Sequence, residues 1–270
     1  RMKLVLPVRS AHDECPITVL MAVYNGGEYL VDSIDSILGQ TFNNFRFLII
    51  DDGSTDYTHM ICDSYHDDRI EYFRLDHNVG QTAALNLGFR KASTPWIARM
   101  DADDFSAPDR LEKQRERLTT ESSLSCLGTF AWYFTESPEK VDGNILLPVD
   151  HREIKEFLLH DSPVVEGSIM VSRKAVLDVG GYDEKYKCSA DIDLYDRLFE
   201  KYVSANLPES LLGIRRHIGQ ISRSFLAVEE NIMIAENRLS YGRTYTVREL
   251  KTARAALARC LITRGFHLAK

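Results

Sequence analysis

The chain has 270 residues, 44% of them hydrophobic, and a formal charge of −7. It is long enough to bury one large core, or a core plus an appendage, but too acidic for nucleic acid to be its main partner, since binding phosphate backbones takes a basic surface. No apolar run approaches the roughly 18 residues of a membrane span, no charged-then-apolar leader opens the chain, and the five scattered cysteines form no C-x-x-C pair, so the expectation is a cytoplasmic protein with reduced thiols, or the soluble part of something larger.

Arg1 to Glu14 reads as a polar lead-in. Ile17–Tyr24 (ITVLMAVY) is too apolar for a half-exposed strand and predicts a buried one. Asn25-Gly26-Gly27 is a turn, after which Leu30, Ile34, Ile37 and Leu38 repeat at helical spacing. Phe45–Ile50 predicts the next strand, ending on Asp51-Asp52-Gly53-Ser54, and a helix follows over Tyr57–Tyr65. Ile70–Arg74 is a third strand, Gln81–Lys91 a helix, and Trp96–Met100 a fourth strand running into Asp101-Ala102-Asp103-Asp104. Pro108 stands where the next helix would start, with Leu111 and Leu118 on one face. Alternation at this interval implies a Rossmann-like, mostly parallel central sheet with flanking helices, whose ligand crevice lies beyond the carboxyl ends of the strands.

The second half is less regular. It predicts a strand at Leu124–Phe134, a turn region at Ser137–Asn144, a helix at His151–Leu159 and a strand at Val164–Val171. A helix at Lys174–Val179 meets a Gly180-Gly181 break, then come a helix at Asp193–Lys201 and a strand at Leu211–His217. From Phe225 the pattern is helical to the end, and the last stretch carries Arg238, Arg243, Arg248, Lys251, Arg254, Arg259, Arg264 and Lys270. That tail is a solvated face or a surface that rests peripherally on anionic lipid.

Three acidic clusters and one histidine carry the chemistry. In an extended segment, side chains two apart point the same way, so Asp101 and Asp103 can face one ligand. Their hard oxygens suit Mg²⁺ or Mn²⁺, which are commonly held by one or two carboxylates plus substrate phosphates. The plain alternative is an acidic turn at a helix start. Asp51-Asp52-Gly53-Ser54 is either a helix-capping turn, with Ser54, Thr55 or Asp56 as the cap, or places a carboxylate, Asp52, at the rim to accept hydrogen bonds from a nucleotide base or ribose. Two acidic strand ends on one rim repel each other unless a cation or a donor-rich ligand joins them. Asp193 fits the acid of a helix N-terminus, whereas Asp191, placed further into the loop, is the better general base. His217, after Arg215 and Arg216, can be structural, complete a metal's coordination or touch a diphosphate, which the arginines could also grip.

Taken together, the runs ITVLMAVYNGGEYLVDSIDSILGQTFNNFRFLIIDDGSTD, NVGQTAALNLGFRKA, MDADDFSAPDRL, GGYDE, ADIDLYDRL and RRHIGQIS resemble the family 2 glycosyltransferases of the GT-A fold, over roughly residues 16–224. The resemblance implies a lead-in at 1–15, a GT-A domain at 16–224 (nucleotide-binding half 16–104, acceptor half 105–224) and a helical C-terminal extension at 225–270. It implies that Ala22, Tyr24 and Asn25 line a nucleotide base and Asp52 binds a uracil ring. Asp101 would face ribose or metal, and Asp103, with His217, would hold Mn²⁺ or Mg²⁺. Asp191 would be the catalytic base, and Glu166, Gly181 and Tyr182 would shape the acceptor side. Ala22 departs from the proline or threonine common in the family. Ala190 replaces a glutamate that often precedes the base, and Glu166-Gly167 replaces His-Pro, so acceptor choice does not carry over.

The implied activity is inverting transfer of a sugar from a nucleotide diphosphate donor, expectedly a UDP-sugar, to a glycan, lipid-linked or protein acceptor in surface polysaccharide assembly. Two other readings remain open. One is a sugar nucleotidyltransferase, although Asn25-Gly26-Gly27-Glu28 lacks the basic residue of a phosphate loop. The other is a silent nucleotide- or carbohydrate-binding module on the same scaffold. A phospho-acceptor domain would explain Asp51-Asp52 but leave the later motifs without purpose.

Overall fold

Seven consecutive buried residues make β1 (Ile17–Val23) the spine of the sheet. The computed structural model describes residues 17–159, 161–217, 225–240 and 255. The lead-in and the basic residues from Arg243 onward lie outside them. In chain order the elements are α1 (Leu30–Leu38), β2 (Phe45–Asp51), α2 (Thr58–Ser64), β3 (Ile70–Arg74), α3 (Gln81–Lys91), β4 (Trp96–Arg99), β5 (Phe105–Ser106) and α4 (Arg110–Thr120). Then follow β6 (Leu124–Phe134), β7 (Gly143–Ile145), α5 (His151–Leu158), a 3₁₀ turn (Glu166–Ser168), β8 (Met170–Ser172), α6 (Arg173–Asp178), α7 (Ala190–Lys201), β9 (Val203–Arg215) and α8 (Phe225–Ser240).

Among the described residues the strands form one sheet in the order β3-β2-β1-β4-β8-β6-β9-β5, with β7 paired to β6. β1 to β4 are mutually parallel where they pair, β8 runs antiparallel between β4 and β6, and β6 and β9 are parallel. Both faces are covered, which is why β1 is apolar at every position but Thr18 rather than alternating. Ile17, Val19, Met21 and Val23 pack with Leu30, Ile34 and Ile37 of α1 and Leu111 of α4. Leu20 and Ala22 face the other way, toward Leu85 and Phe89 of α3 and Leu194 and Leu198 of α7. β1 thus lies between β2 and β4 with α1 and α3 on opposite faces, the arrangement that opens a crevice at the carboxyl ends of β1 and β4.

Besides β7, which forms where a turn region was expected, four elements differ from the sequence reading, each for a traceable reason. Val164–Val171 is not one strand: Val165 to Ser168 turns into 3₁₀ geometry, with Ser168 Oγ donating to Val165 O (2.8 Å) and accepting from Thr129 N (3.1 Å), and only Met170–Ser172 is strand. α7 starts at Ala190, so Asp191 lies in its first turn and not in a loop. β9 starts at Val203, well before Leu211; its ladder with β6 shifts register between Thr129–Leu207 and Phe130–Ser210, which absorbs Pro208 and Glu209. A proline cannot donate to a ladder, so it is tolerated at such an irregularity. The two-residue β5 was hidden because its apolar content is one phenylalanine.

The tail's first segment packs on the body: Ile234 of α8 joins the cluster containing Ala190 and Leu194. Among the described residues no helix is long and apolar enough to cross a membrane.

A glycine tests the packing of α3 on β1. A Cβ built at Gly88 would sit 2.2 Å from Leu20 Cδ1, 2.9 Å from Cδ2 and 3.1 Å from Cγ, so rotating the leucine does not clear it. Alanine gains about 1 kcal/mol of helix propensity, whereas overpacking a closed core costs about 1–3 kcal/mol. Gly88→Ala should therefore destabilise, by up to about 2 kcal/mol net, read as a lower urea midpoint at unchanged slope. A raised midpoint would mean that α3 and β1 are not in this contact.

Candidate active site

The crevice rim is built from loops that follow strand ends. After β1, Asn25 takes a positive φ of 52°, which asparagine tolerates better than most residues. Its Oδ1 accepts from Thr55 N (2.8 Å) and Asp56 N (3.3 Å), while its own N donates to Ser54 Oγ (2.9 Å). Gly26 N donates to Thr58 Oγ1 (3.0 Å), so the two turn motifs read separately in the sequence interlock. Asn25 is therefore engaged in holding the rim, and Ala22 turns its side chain into the core. Tyr24 of this loop leaves its ring 49% exposed.

Asp52 is buried at the end of β2, and its two oxygens accept from Val79 N (2.7 Å) and Gly80 N (2.9 Å). It ties the β3–α3 loop to the rim. The fit is tight: a Cβ at Gly53, whose φ is +70°, would lie 2.5 Å from the His77 carbonyl carbon. A carboxylate has about four lone-pair sites, so Asp52 retains accepting capacity beyond these two bonds.

Beyond β4 the site turns on Arg99, whose side chain has no exposed surface. Nη1 donates to Leu20 O (2.7 Å) and Met100 O (3.1 Å), Nη2 to Asp101 Oδ1 (2.8 Å) and Nε to Glu166 Oε1 (3.2 Å). Glu166 also accepts from the hydroxyls of Tyr182 and Tyr195. The 3₁₀ turn brings Glu166 here, and Gly167 permits it, since a Cβ there would meet Asp101 Oδ2 at 3.1 Å. Arg110, also fully buried, donates to Arg99 O (3.1 Å) and Gly167 O (2.7 Å). Burial and the neighbouring Arg99 push its pKa down to about 10, so it stays charged at neutral pH.

Asp103 and Asp104 face the end of β9. Asp104 is buried and accepts from Arg215 N (3.1 Å); burial, then the charges of Asp103 and Asp101, push its carboxyl well above the usual range. Asp103 is raised for the same reasons, burial first and Asp101 second, against the opposing effect of His217. His217 Nε2 lies 2.8 Å from Asp103 Oδ2. Arg215 is directed into the protein and does not line the open rim. Its Nε donates to Asp103 O (3.1 Å), its Nη2 pairs with Asp32 (2.7 Å), and its guanidinium lies between the rings of Tyr29 and Phe134. Arg216 is exposed and sits over Tyr133.

Asp103 and His217 fit a divalent cation. Two ligands at about 2.1 Å in cis octahedral positions are about 3 Å apart, close to the 2.8 Å found. Among the described residues no group of three or more His, Cys, Asp or Glu could hold a metal unaided. A cation whose remaining ligands come from water and substrate phosphates needs no such group.

Asp191 stands half-buried in the first turn of α7, its carboxylate against the N–H of Ile192. Burial, then the charge of Glu166, raise its pKa to about 7 in spite of that hydrogen bond. Asp193 holds Arg197 (2.7 Å), which donates onward to Gly181 O (2.8 Å), a structural role consistent with a helix-start acid. Gly181 has φ +72° and is buried against Asn86, which also binds the Tyr182 backbone in both directions (2.9 Å each). Glu166 and Tyr182 are thus joined to each other and, through Arg99, to Asp101, while Gly181 is held by Asn86 and Arg197. The sequence reading missed Arg99, Arg110 and Tyr195. A charge inside WIARM, an otherwise apolar strand, was the available signal that a buried cation waits for acidic partners.

Comparison with known proteins places this arrangement. The model of the family described as glycosyl transferase family 2 matches residues 18–181. The O-antigen biosynthesis glycosyltransferase WbnJ of Escherichia coli is 32% identical over 79% of this chain and 85% of its own length. The uncharacterized glycosyltransferase MJ1057 of Methanocaldococcus jannaschii is 32% identical over 74% of this chain and 70% of its own. Among solved structures, S. aureus TarS 1–349 in complex with UDP-GlcNAc superposes with a TM-score of 0.70 at 17% identity, over 91% of this chain and 71% of that one. The mannosyltransferase PcManGT of Pyrobaculum calidifontis, with GDP-Man and Mn²⁺, gives 0.64 at 17%, over 94% and 80%. At such identities the structural likeness establishes the GT-A fold.

The raised pKa of Asp191 has a stability consequence. The folded chain keeps this proton to about pH 7, the unfolded chain only to about 4. The stabilisation is therefore full below about pH 4 and is lost as pH rises through 7. Melting temperature should fall from pH 4 to 7.5 more steeply in the unsubstituted protein than in Asp191→Asn, which has nothing to titrate there. Parallel profiles would show that Asp191 is ionised throughout.

Proposed function

The chain belongs to glycosyl transferase family 2, and on that footing we propose that it moves a sugar from a nucleotide diphosphate donor, a UDP-sugar, to an acceptor hydroxyl with inversion of configuration. The observation that carries this reading is the convergence on one rim of Asp101, Asp103 and His217 with Asp191, joined through Arg99 and Glu166. Perturbed carboxylates gathered in this way are the mark of a reacting site.

In this proposal Tyr24 and the backbone from Ala22 to Asn25 receive the base, Asp52 accepts from the uracil, and Asp101, held by Arg99, faces the ribose or the cation. Mn²⁺ or Mg²⁺ held by Asp103 and His217 would offset the negative charge that develops on the leaving diphosphate. Asp191 takes the acceptor proton as the acceptor oxygen attacks the anomeric carbon opposite the diphosphate, so an α-linked donor gives a β-linked product. A base with a pKa near 7 is matched to proton transfer at neutral pH. Glu166, Gly181 and Tyr182 place the acceptor. The UDP-GlcNAc complex of TarS supports a hexosyl or N-acetylhexosaminyl donor. WbnJ, an O-antigen biosynthesis enzyme, supports a place in surface polysaccharide assembly. A cytoplasmic location with peripheral membrane contact through the basic tail completes the proposal.

Asp191→Asn should lower kcat by about 10²–10⁴-fold while leaving donor affinity within about twofold, because the amide cannot take the proton. Donor binding lost along with turnover would refute the base assignment. In calorimetry, UDP should bind in Mn²⁺ and weaken at least about tenfold (~1.4 kcal/mol) in chelator. Asp103→Ala should abolish that difference. Equal affinity in both buffers for the unsubstituted protein would remove the cation from the scheme.

A further inference from the structure

α8 begins well past residue 181, where the family match ends, yet one of its side chains reaches the base-carrying helix. Glu230 is 4% exposed and accepts three consecutive backbone donors. Lys187 N meets Oε1 at 2.7 Å, and Cys188 N and Ser189 N meet Oε2 at 2.8 and 2.9 Å. The next residue, Ala190, opens α7, and Asp191 follows it. Ser189 stands at the N-cap, and Glu230 brings a carboxylate from the tail to a helix start whose first turn already carries Asp191 and Asp193. Successive N–H groups converging at a helix N-terminus are an anion-binding arrangement, and here the anion is intramolecular.

The surroundings hold the same loop from both sides. Thr82 Oγ1 of α3 donates to Tyr186 O (2.9 Å), and Asn237 Nδ2 of α8 donates to the Tyr186 hydroxyl (3.2 Å). Ile234 of α8 packs in the cluster that contains Ala190 and Leu194. Segment 186–189 is thus clamped between α3 and α8, and Asp191 is carried on its end.

We propose that Glu230 is a positioning residue: by gathering the N–H groups of residues 187–189 it sets where α7 begins and hence where Asp191 stands relative to Glu166 and Asp101. Its catalytic half rests on the transferase reading given above. Glu230 touches none of Tyr24, Asp101, Asp103 or His217, so its loss should move kcat and spare donor binding. A displacement of about 1 Å at a reacting group can cost on the order of 100-fold in rate.

The test compares the full chain with Glu230→Ala and Glu230→Gln in two arms. Glutamine keeps the size of the side chain but offers one acceptor oxygen and turns an NH₂ toward the remaining donors. In hydrogen exchange, peptides covering 186–194 should exchange at least about tenfold faster in both variants while those of α3 and α4 stay unchanged. In steady-state turnover of a UDP-sugar, kcat per folded molecule should fall at least about tenfold, more in Glu230→Ala, with donor KM within about twofold. If Glu230→Ala fails to fold, Glu230→Gln carries both arms. Unchanged exchange at 186–194 would overturn the anchor. Faster exchange with unchanged kcat would overturn the positioning role and leave a structural one. An unsubstituted chain that turns over no nucleotide sugar would refute the transferase reading and with it the catalytic half, while the exchange arm would still decide the anchor.

Discussion

A guanidinium that meets no solvent organises the rim. Burying a cation costs several kcal/mol unless its partners are well placed, and Arg99 has them: two strand-end carbonyls, Asp101 and Glu166. The carbonyls belong to β1 and to the end of β4, so the cation knits the strands that flank the crevice. One carboxylate follows β4 and the other opens the 3₁₀ turn, so one group fixes their separation. Removing one partner of such a buried pair costs about 3–5 kcal/mol, mostly because the other charge is stranded. That penalty makes Asp101 and Glu166 rigid fixtures rather than mobile surface acids.

Around that cation the acids are crowded. The charge of Asp101 helps to raise the carboxyls of Asp103 and Asp104, and the charge of Glu166 helps to raise that of Asp191. Arg110, Arg215 and His217 share the balance. Like charges at short range favour a bound cation or a hydrogen-bond donor. The same repulsion that makes the site costly thus prepares it for ligands. Burial and Glu166 raise the pKa of Asp191 to about 7, while the N–H groups of its own helix start limit the shift.

Much of the first half was legible in the sequence because its signals are local. Ile70–Arg74 and Gln81–Lys91 have the predicted bounds, and β1, β2 and β4 agree to within a residue. Apolar runs of five to eight residues punctuated by Asn-Gly-Gly or Asp-Asp-Gly-Ser report their own structure. The second half resisted where the cause was distant. α7 starts at Ala190 through donors gathered by Glu230, about forty residues away, and the apolar period, which begins at Leu194, does not reach that far back. Glu166 looked like part of a strand because Val164 and Val165 before it and Ile169–Val171 after it are apolar. The turn there depends on Ser168 and on the space left by Gly167.

Composition, periodicity and motif order by themselves determined a doubly covered, mostly parallel sheet with acids at its strand ends and the family to which the chain belongs. These depend on short-range burial patterns and on residue types, both of which a linear sequence carries. Only the tertiary structure decided which acids are free to act. It engaged Asn25 in the rim, paired Asp103 with His217, turned Arg215 inward to Asp32, and placed Asp191 on a helix start anchored from the tail. Those assignments rest on hydrogen bonds between residues 30 to 183 positions apart, and no local pattern encodes a partner so far along the chain.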